Sequence, residues 1–583
     1  MMQAALLRHW RLISVVFLAS GGLLAYHAIT GTPGGHSYRH NLPWFIAFDE
    51  AFWSGDLYPR HLPELWFGLG GLDFYFYGPM PFWIASLLGH MGCVGGCAPG
   101  TAFAMGGAWM VIVSGVSFFF LGRRYFSLNW AVFAAILYCV LPYHYAMDWV
   151  IRQAVGEIAA AIFLPLILLG AIKLLEEQKG GLLLALSFAA LVFSHLPVAL
   201  ITVHFLAAFV VWKSWSLRQD RRAILMVFAR FAFWGGLGAA LSAVYWLPAL
   251  MLLPDVTSSL LYSEHSTPTN WLFLDGRAEP NPASALMIKA IMMSALIMVA
   301  FLWMRRRQMP AISQTPGLLT SVLAPVFFAA VLMTPVSWIL WEYWIIKSIQ
   351  FPWRVMILVD LSLALGVTAL AADAVRSMRS KAPAIETLLP TSFVMAALVY
   401  SAMLILPAAQ DATARSGQDF AMTGAPEYFP APFIEAAREA RGSQRGYDSL
   451  FQVIEDIHAR ETAALKSAEY EISVLSEASD RIMLQVIQSQ DGPVTLVFPH
   501  WVHWQGRMTA TGENLALYPE PRFGLMTFDL PAGVHWVELT LPPTLPERFG
   551  TWISLIALLF VAGVLLRQLR WGAADRKALA TNA

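Results

Sequence analysis

The chain has 583 residues, of which 57% are hydrophobic and only 13% carry a charge. Soluble globular proteins average roughly 25% charged residues, so a chain this long and this poor in charge is not an ordinary cytosolic enzyme. The 38 basic and 38 acidic residues balance, which excludes a strongly basic nucleic-acid-binding protein. Three cysteines are too few for a disulfide-rich scaffold or a thiolate zinc cage.

Apolar segments long enough to cross a bilayer recur along the chain. A crossing helix needs roughly 20 mostly apolar residues. Twelve segments have this character: 11–29, 101–121, 129–147, 157–175, 181–196, 197–212, 224–252, 285–304, 317–336, 352–373, 386–408 and 549–567. The segment 80–97 is shorter and broken by glycines, so we interpret it as an interfacial or re-entrant helix. The sequence therefore predicts a polytopic α-helical membrane protein with about 12 spans.

The basic residues predict the orientation of these spans. Cytoplasmic loops of membrane proteins carry an excess of Lys and Arg. If the N-terminus is inside and the spans alternate, 20 of the 38 basic residues lie in inner loops and tails, whereas the short outer loops hold 6. Both termini are then cytoplasmic, and two large segments, 30–100 and 409–548, lie outside.

Three units follow from this pattern. Residues 1–408 are predicted to form a transmembrane domain with the large outer loop 30–100, residues 409–548 an outer domain, and residues 549–583 a last helix and tail. The second half of the outer domain alternates apolar and polar residues in YEISVLSE, RIMLQVIQ, DGPVTLVFPHW, RFGLMTFDLPAG and VHWVELTLP. This alternation is typical of antiparallel strands and predicts a small β-sandwich, whereas the earlier PFIEAAREARG favours helix.

The first outer loop is the strongest candidate for chemistry. It holds five carboxylates and three histidines among aromatic residues: Asp49, Glu50, Asp56, Glu64, Asp73, His36, His40 and His61. Anchoring at the membrane interface explains the Tyr and Trp residues but not this many acids. An ionised carboxylate within hydrogen-bond reach of an acceptor can act as a general base, so a catalytic loop is one interpretation.

Charged residues near the outer ends of the spans are a second set. Arg354, in QFPWR, follows Lys347 by seven residues and could clamp a lipid phosphate, or could snorkel within an aromatic belt. Arg152 and Glu157 have a spacing that is not ideal for a pair within one helix, so they either pair with other loops or contact substrate. Asp360, nearer a span interior, either serves function or neutralises a buried cation.

Cysteine and histidine pairs leave further alternatives open. Cys93 and Cys97 could form a small-loop disulfide or remain thiols. His500 and His503 in the predicted β domain could suggest a metal, but an aromatic sandwich edge is favoured over a metal site there.

Several motifs occur in an order that resembles a known family. They are FDEAFWSGDLYPRHLPELWFGLGGLDFYFYGPMPFW (48–83), PYHYAMDWVIRQAVGE (142–157), SHLP (194–197), IQFPWR (349–354) and EYFP (427–430). With a β-rich outer domain and a last helix, this order resembles bacterial polytopic membrane proteins called pyruvoyl-tetrahydropterin synthase-related. These proteins are relatives of the YfhO-like proteins in the GT-C superfamily.

The resemblance implies a fold, an activity and partners. The fold is GT-C-like, and the activity is transfer of a sugar from a polyprenyl-phosphate donor to a cell-envelope glycan or lipid acceptor. The site would lie at the outer face of the bacterial inner membrane, in contact with membrane lipid and without nucleic acid. Relatives usually carry an Asp three or four residues before a His, but matching that His to His40 places the acid at His36 or Ser37. Either Asp49, with Glu50, takes the role of base, or the chain is an inactive scaffold that binds lipid-linked glycan or envelope partners.

The predicted site therefore combines loop acids with outer basic and aromatic residues. The catalytic candidates are Asp49 and Glu50, and the substrate-binding candidates are Arg354, Lys347, Arg152, Glu157, His40, Arg60 and Tyr77. The sequence shows no evident metal site, and the cofactor stays open, a divalent cation included. A transporter is a third alternative, less favoured because the chain shows no internal symmetry.

Overall fold

The computed structural model describes residues 20–66, 68–91, 96–214, 220–258, 282–309, 315, 317–378, 424–434 and 470–581. In these ranges, eight helices are long and apolar enough to cross a membrane, and two shorter apolar helices, Gly181–Ser194 and Leu318–Leu332, accompany them. The predicted span 386–408 and the first part of span 11–29 lie outside the described residues. The protein is a polytopic helical membrane protein with a C-terminal sheet domain, as the sequence predicts.

The helices follow one another with short connections. In chain order they are α1 (Tyr38–Trp53), α2 (Asp73–Phe76), α3 (Met80–Leu88), α4 (Pro99–Gly122), α5 (Leu128–Val140), a π-helix (Pro142–Ile151), α6 (Val155–Glu176), α7 (Gly181–Ser194), α8 (Leu196–Ser214), α9 (Arg221–Leu241), α10 (Ala243–Met251), α11 (Pro282–Arg305), α12 (Leu318–Leu332), α13 (Trp338–Trp341), α14 (Trp344–Lys347), α15 (Met356–Met378) and α16 (Leu545–Thr581). Short 3-10 turns include Leu253–Asp255, Pro352–Val355 and Pro426–Tyr428.

Two predicted spans are interrupted, each for a local reason. Span 129–147 breaks at Leu141, which is extended with φ −59° and ψ 140° because the residue before a proline avoids the α conformation. The chain then continues as the π-helix. Span 224–252 breaks at Ser242, whose hydroxyl donates back to the Gly238 carbonyl oxygen at 3.0 Å and competes with the regular helix bonds.

The first outer loop folds into three short helices on the transmembrane part. Helix α3 has nine residues, about 13 Å of helix, and so is too short to cross the membrane. This agrees with the interfacial interpretation of segment 80–97. Cys97 forms a disulfide, Cys139 is a free thiol, and Cys93 lies outside the described residues.

The C-terminal domain consists of two antiparallel sheets. Its strands are β1 (Tyr470–Ala478), β2 (Arg481–Gln488), β3 (Gly492–Pro499), β4 (Gln505–Met508), β5 (Asn514–Leu515), β6 (Tyr518–Pro519), β7 (Leu525–Leu530) and β8 (Gly533–Thr540). One sheet has the order β1-β2-β8-β4-β5 and the other β3-β7-β6. Alternate residues of β2, such as Ile482, Leu484 and Val486, are buried between them. The five predicted strand segments are confirmed, whereas the predicted helix PFIEAAREARG lies mostly outside the described residues.

Polar contacts dock this domain on the first outer loop and on the 3-10 turn after α10. The Ser479 hydroxyl donates to Asp56 at 2.9 Å, and a ring nitrogen of His61 lies 3.0 Å from the Ser479 carbonyl oxygen. His503 Nε2 lies 2.8 Å from Asp255 Oδ2. His503 thus contributes to docking, and among the residues that the structure describes no group of three or more His, Cys, Asp or Glu side chains could hold a metal ion.

Arg60, a predicted substrate-binding residue, joins three parts of the molecule. Its Nη1 lies 2.9 Å from Glu547 Oε1 at the start of α16, and its Nη2 donates to the Val244 carbonyl oxygen at 2.8 Å. The guanidinium also lies over the Tyr58 ring, 4.5 Å from its centroid. These contacts give Arg60 a role in holding the first outer loop against α10 and α16.

We expect Arg60→Ala to destabilise the protein by about 3 kcal/mol, because it leaves the mostly buried Glu547 carboxylate without its counter-charge. The measurement is the thermal midpoint of the detergent-solubilised protein. Arg481→Ala is the matched control, since the Arg481–Glu538 pair is largely exposed and surface pairs contribute about 0–1 kcal/mol. Equal shifts in the two variants would contradict the structural role of Arg60.

Candidate functional site

A buried ion network lies where the π-helix ends and α6 begins. Arg152 donates to Glu157 through two bonds, Nη2 to Oε1 at 2.9 Å and Nη1 to Oε2 at 3.1 Å. The same Nη1 lies 2.9 Å from Asp148 Oδ1. Arg152 and Glu157 thus pair with each other, against the expectation from their spacing. The spacing argument assumed one regular helix, whereas Arg152 precedes the start of α6 at Val155.

Arg354 completes this network from another part of the chain. Phe351 is extended before Pro352, and the 3-10 turn that follows turns the Arg354 side chain toward α6. Its Nε donates to Glu157 Oε1 at 3.0 Å, and its Nη1 donates to the Ile349 carbonyl oxygen at 2.8 Å and to Gln350 Oε1. We call Asp148, Arg152, Glu157 and Arg354 the ion network. One carboxylate, Glu157, 1% exposed, therefore holds two guanidinium groups.

The backbone on both sides of the ion network is strained. Gln153 and Gln350 have φ angles of 52° and 69°, a left-handed conformation that non-glycine residues rarely adopt. The Gln153 amide donates to Thr32 and Pro33 at 2.7 and 2.8 Å, and Asn41 donates to the Gln153 carbonyl oxygen at 2.6 Å. Such strain costs about 1–3 kcal/mol per residue and is typical of functional sites.

A buried carboxylate of the first outer loop forms a second centre. Asp73 is the first residue of α2 and is 1% exposed. Its Oδ1 accepts from the Ala425 backbone N–H at 2.8 Å. A Cβ on Gly424 would lie 2.7 Å from Asp73 Oδ2 and 2.6 Å from Trp66 Nε1, so only glycine lets this backbone come so close. Gly424 and Ala425 therefore cover Asp73.

Burial controls protonation at this second centre. Burial raises the pKa of Asp73 to about 7, opposed by the Ala425 hydrogen bond and increased by the charge of Glu427. Burial also raises the pKa of Glu427. His40 contacts the backbone of Gly424, and burial, with the charge of Arg39, lowers its pKa to about 3, so its imidazole is neutral. Asp73 thus changes charge near neutral pH beside a neutral imidazole.

Two tyrosines lie near the ion network, and one of them also lies near Asp73. Tyr77 lies within electrostatic range of Arg354, Glu157 and Arg152, and its ring centroid is 4.7 Å from that of Trp44. Burial raises the pKa of Tyr77 to about 12. Tyr428 lies within electrostatic range of both Asp73 and Arg354. Tyr428 is therefore close to both centres, and Tyr77 is close to the ion network.

The remaining acids of the first outer loop have other surroundings. Asp49 Oδ2 lies 2.9 Å from His90 Nε2 on the segment after α3. Glu50 and Glu64 are exposed, and Asp56 docks the β domain through Ser479. No contact that the structure records in the described ranges joins Asp49 or Glu50 to the ion network, and their catalytic role stays a prediction.

The predicted substrate-binding residues divide into two groups. Arg152, Glu157, Arg354 and Tyr77 come together, and His40 joins the Asp73 centre. Lys347, at the end of α14, is exposed.

The sequence alone predicts no individual role for Asp73, Glu427 or Asp148. Asp148 interrupts an apolar segment of the sequence. An ionisable residue in or beside a membrane span is costly, so this position could have been identified as a candidate functional residue. For Asp73, the only indication in the sequence was its position among the five acidic residues of the first outer loop.

Asp73 gives a pH-dependent stability that can be measured. Its pKa in the folded protein, about 7, lies above its ordinary value of 3.8, so the folded state binds the proton more tightly than the unfolded state. Ionisation therefore removes stability as pH rises from about 4 to about 7, by up to about 4 kcal/mol. We expect Asp73→Asn to raise the thermal midpoint above that of wild type at pH 8 and to change it little at pH 4. A difference between the two proteins that does not vary with pH would contradict the raised pKa.

Comparison with known proteins gives structural likenesses only. No protein-family profile and no curated protein sequence matches the chain. The fold is similar to the oligosaccharyltransferase AglB from Archaeoglobus fulgidus in complex with an inhibitory peptide and a dolichol-phosphate, with 12% identity over 78% of this chain and a TM-score of 0.41. The alignment spans 59% of the AglB chain. It is also similar to ArnT from Cupriavidus metallidurans bound to undecaprenyl phosphate, with 12% identity and a TM-score of 0.38. That alignment covers 82% of this chain and 96% of the ArnT chain.

Proposed function

We propose that this protein is a GT-C-like glycosyltransferase that passes a sugar from a polyprenyl-phosphate donor to a cell-envelope glycan or lipid at the periplasmic face of the bacterial inner membrane. One observation carries the proposal. A buried carboxylate of the first outer loop, Asp73, and the buried guanidinium group of Arg354 lie within electrostatic range of the same tyrosine, Tyr428. Transfer from a phosphate-linked donor needs a base on one side of the sugar and positive charge on the other.

The guanidinium side serves the lipid phosphate. Guanidinium groups bind phosphate oxygens strongly, and Glu157 holds those of Arg354 and Arg152 in position. Lys347 adds positive charge near the outer end of the same region. Charge that develops on the departing polyprenyl phosphate is stabilised by these groups, which are in place before the reaction.

The carboxylate side serves the acceptor. The base removes a proton from the acceptor hydroxyl, whose oxygen attacks the anomeric carbon while the bond to the phosphate oxygen breaks. A base that titrates near neutral pH is well matched to this step, which favours Asp73. His40 and Tyr77 lie beside it, where they can contact sugar hydroxyls. Asp49, with Glu50, is the second candidate, from the sequence resemblance.

A non-enzymatic scaffold that binds lipid-linked glycan is the alternative function. It is favoured by the cover over Asp73, since Ala425 and Gly424 leave the carboxylate only 1% exposed. Catalysis by Asp73 requires Gly424 and Ala425 to move away from it, whereas a scaffold requires no such movement.

We expect Asp73→Asn to reduce sugar transfer at least 100-fold, because the neutral amide cannot accept the acceptor proton. The assay uses the full-length protein in proteoliposomes with a panel of radiolabelled polyprenyl-phosphate sugars and envelope glycolipid acceptors. Asp49→Asn, compared in parallel, identifies which loop acid is the base. Arg354→Gln should also remove transfer and should weaken retention of the donor.

The outcomes separate the proposals. Loss of transfer in Asp49→Asn alone assigns the base to Asp49. Full activity in both loop variants contradicts a carboxylate base in this loop. Retention of labelled donor by wild type, with no transfer to any acceptor and loss of retention in Arg354→Gln, supports the scaffold.

A further inference from the structure

An open cleft of about 260 Å³ lies where the C-terminal sheet domain meets the last membrane-spanning helix. Its walls come from the start of β4 and from the segment that joins β8 to α16, and its polar lining residues are His503, Gln505, Thr544 and Arg548. Strand β8 ends at Thr540, and the part of α16 that is apolar enough to cross a membrane begins at Leu545. The cleft therefore lies at the level where the chain enters the membrane.

Arg548 gives this cleft a positive charge. Its side chain is exposed, and its Nε donates to the Pro543 carbonyl oxygen at 3.0 Å. No carboxylate pairs with its guanidinium group in the part of the chain that the structure describes. The exposed Gln505 side chain, on the sheet-domain wall, likewise forms no hydrogen bond with the described residues. The cleft thus offers a guanidinium group and an amide to a ligand.

The carboxylates that contact the lining residues are already engaged. Glu547 Oε1 pairs with Arg60 at 2.9 Å, and its Oε2 accepts from the backbone N–H and the hydroxyl of Thr544 at 2.7 and 2.8 Å. Asp255 Oδ2 lies 2.8 Å from His503 Nε2. Because Glu547 also caps the first turn of α16, the charge that faces the cleft is that of Arg548 and not that of the helix end.

An exposed apolar stripe leads from the cleft along α16 into the membrane. Its five residues follow at intervals of three and four positions, which places them on one helix face: Leu545, Phe549, Trp552, Ile556 and Leu559. Each of them is between 62% and 67% exposed. Gly550 lies on the packed side of α16, where an added Cβ would lie 2.4 Å from the Ala243 carbonyl oxygen. The stripe is therefore the side of α16 that membrane lipid can cover, and it starts at a residue that also lines the cleft.

We propose that the cleft binds an anionic phospholipid, with the phosphate on Arg548 and the acyl chains along the apolar stripe. Guanidinium groups bind phosphate oxygens strongly, and the Gln505 amide can donate to the same headgroup. A soluble phosphate would leave the stripe uncovered, and a zwitterionic lipid would bring a cation of its own to Arg548. An anion with apolar chains satisfies both parts of the site. The lipid is a bound component here, neither donor nor acceptor in the proposed sugar transfer.

Such a lipid would fasten the sheet domain to the membrane surface. Gln505 belongs to strand β4 of that domain, whereas Arg548 belongs to the helix that crosses the membrane. One headgroup held by both side chains therefore bridges the two parts of the molecule.

Photolabelling of the full-length protein in phosphatidylcholine nanodiscs tests this site. The probe is phosphatidylglycerol with a diazirine near the glycerol end of one acyl chain, and the reference probe is phosphatidylcholine with the same chain. Peptide mass spectrometry measures labelling of residues 502–505 and 542–548, relative to residues 556–559, which any surrounding lipid contacts. We expect the phosphatidylglycerol probe to label the cleft at least about fivefold more than the reference probe, since one basic side chain at a membrane surface supplies about that factor.

Three variants make the measurement specific. Arg548→Gln should lower labelling of the cleft to that of the reference probe, whereas Arg548→Lys, which keeps the charge, should retain most of it. Arg507→Gln is the matched control, because Arg507 is also exposed and its Nε also donates to a carbonyl oxygen five residues away, that of Gly512, but it does not line the cleft. This control should be labelled like wild type.

Four results would overturn the proposal. They are equal labelling of the cleft by the two probes, wild-type labelling in Arg548→Gln, a loss in Arg548→Lys as large as in Arg548→Gln, and an equal loss in Arg507→Gln. Competition identifies the source of the phosphate. Excess unlabelled phosphatidylglycerol should suppress labelling of the cleft, and excess glycerol phosphate should not. Equal suppression by glycerol phosphate would show that the cleft takes a soluble phosphate and would overturn its assignment to a lipid.

Discussion

One shared carboxylate organises the outer end of the membrane part. Glu157 accepts from Arg152 and from Arg354, which are separated by about two hundred positions in the chain. Removing either guanidinium would leave Glu157 under-compensated in a buried place, a loss of about 3–5 kcal/mol. Through Gln153, whose carbonyl oxygen accepts from Asn41, the same network fixes the start of the first outer loop. The position of helix α1, and hence of the loop acids, depends on it.

A well-packed apolar cluster could replace such a network without loss of stability, so the ion network is weak evidence for a structural role alone. The strained backbones of Gln153 and Gln350 add to its cost. The Gln350 side chain, and the Ile349 carbonyl oxygen before it, both bind Arg354. The strain thus accompanies an arrangement that orients a guanidinium group, which is what a phosphate site needs.

The sequence predicted the features that depend on local pattern. Apolar length identified the spans because the bilayer imposes that length on any crossing helix. Period-two alternation identified strand β2 because Leu484 and its alternate neighbours are buried while the intervening residues are more exposed. The helix breaks at Leu141 and Ser242 were not predicted, because the length of an apolar segment does not show where a helix ends within it. Leu141 precedes a proline, and the Ser242 hydroxyl bonds back to the helix.

The candidate site could be predicted only in part, because long-range contacts determine its electrostatics. Arg354 and Glu157 were both identified as candidates, but the ion pair between them was not predicted. Nothing near Asp73 in the sequence indicates that Ala425, 352 positions later, would donate to its carboxylate. The spacing of Arg152 and Glu157 argued against a pair because a helix was assumed where the chain is still turning.

The even balance of charges therefore conceals two unequal environments. Most basic residues are predicted to lie in inner loops, which is the usual bias of membrane proteins. Arg152 and Arg354, by contrast, are buried and share the carboxylate of Glu157. Asp148 contacts the same Arg152. A buried guanidinium group is stable only beside such a counter-charge, so the position of Glu157 decides where both guanidinium groups lie.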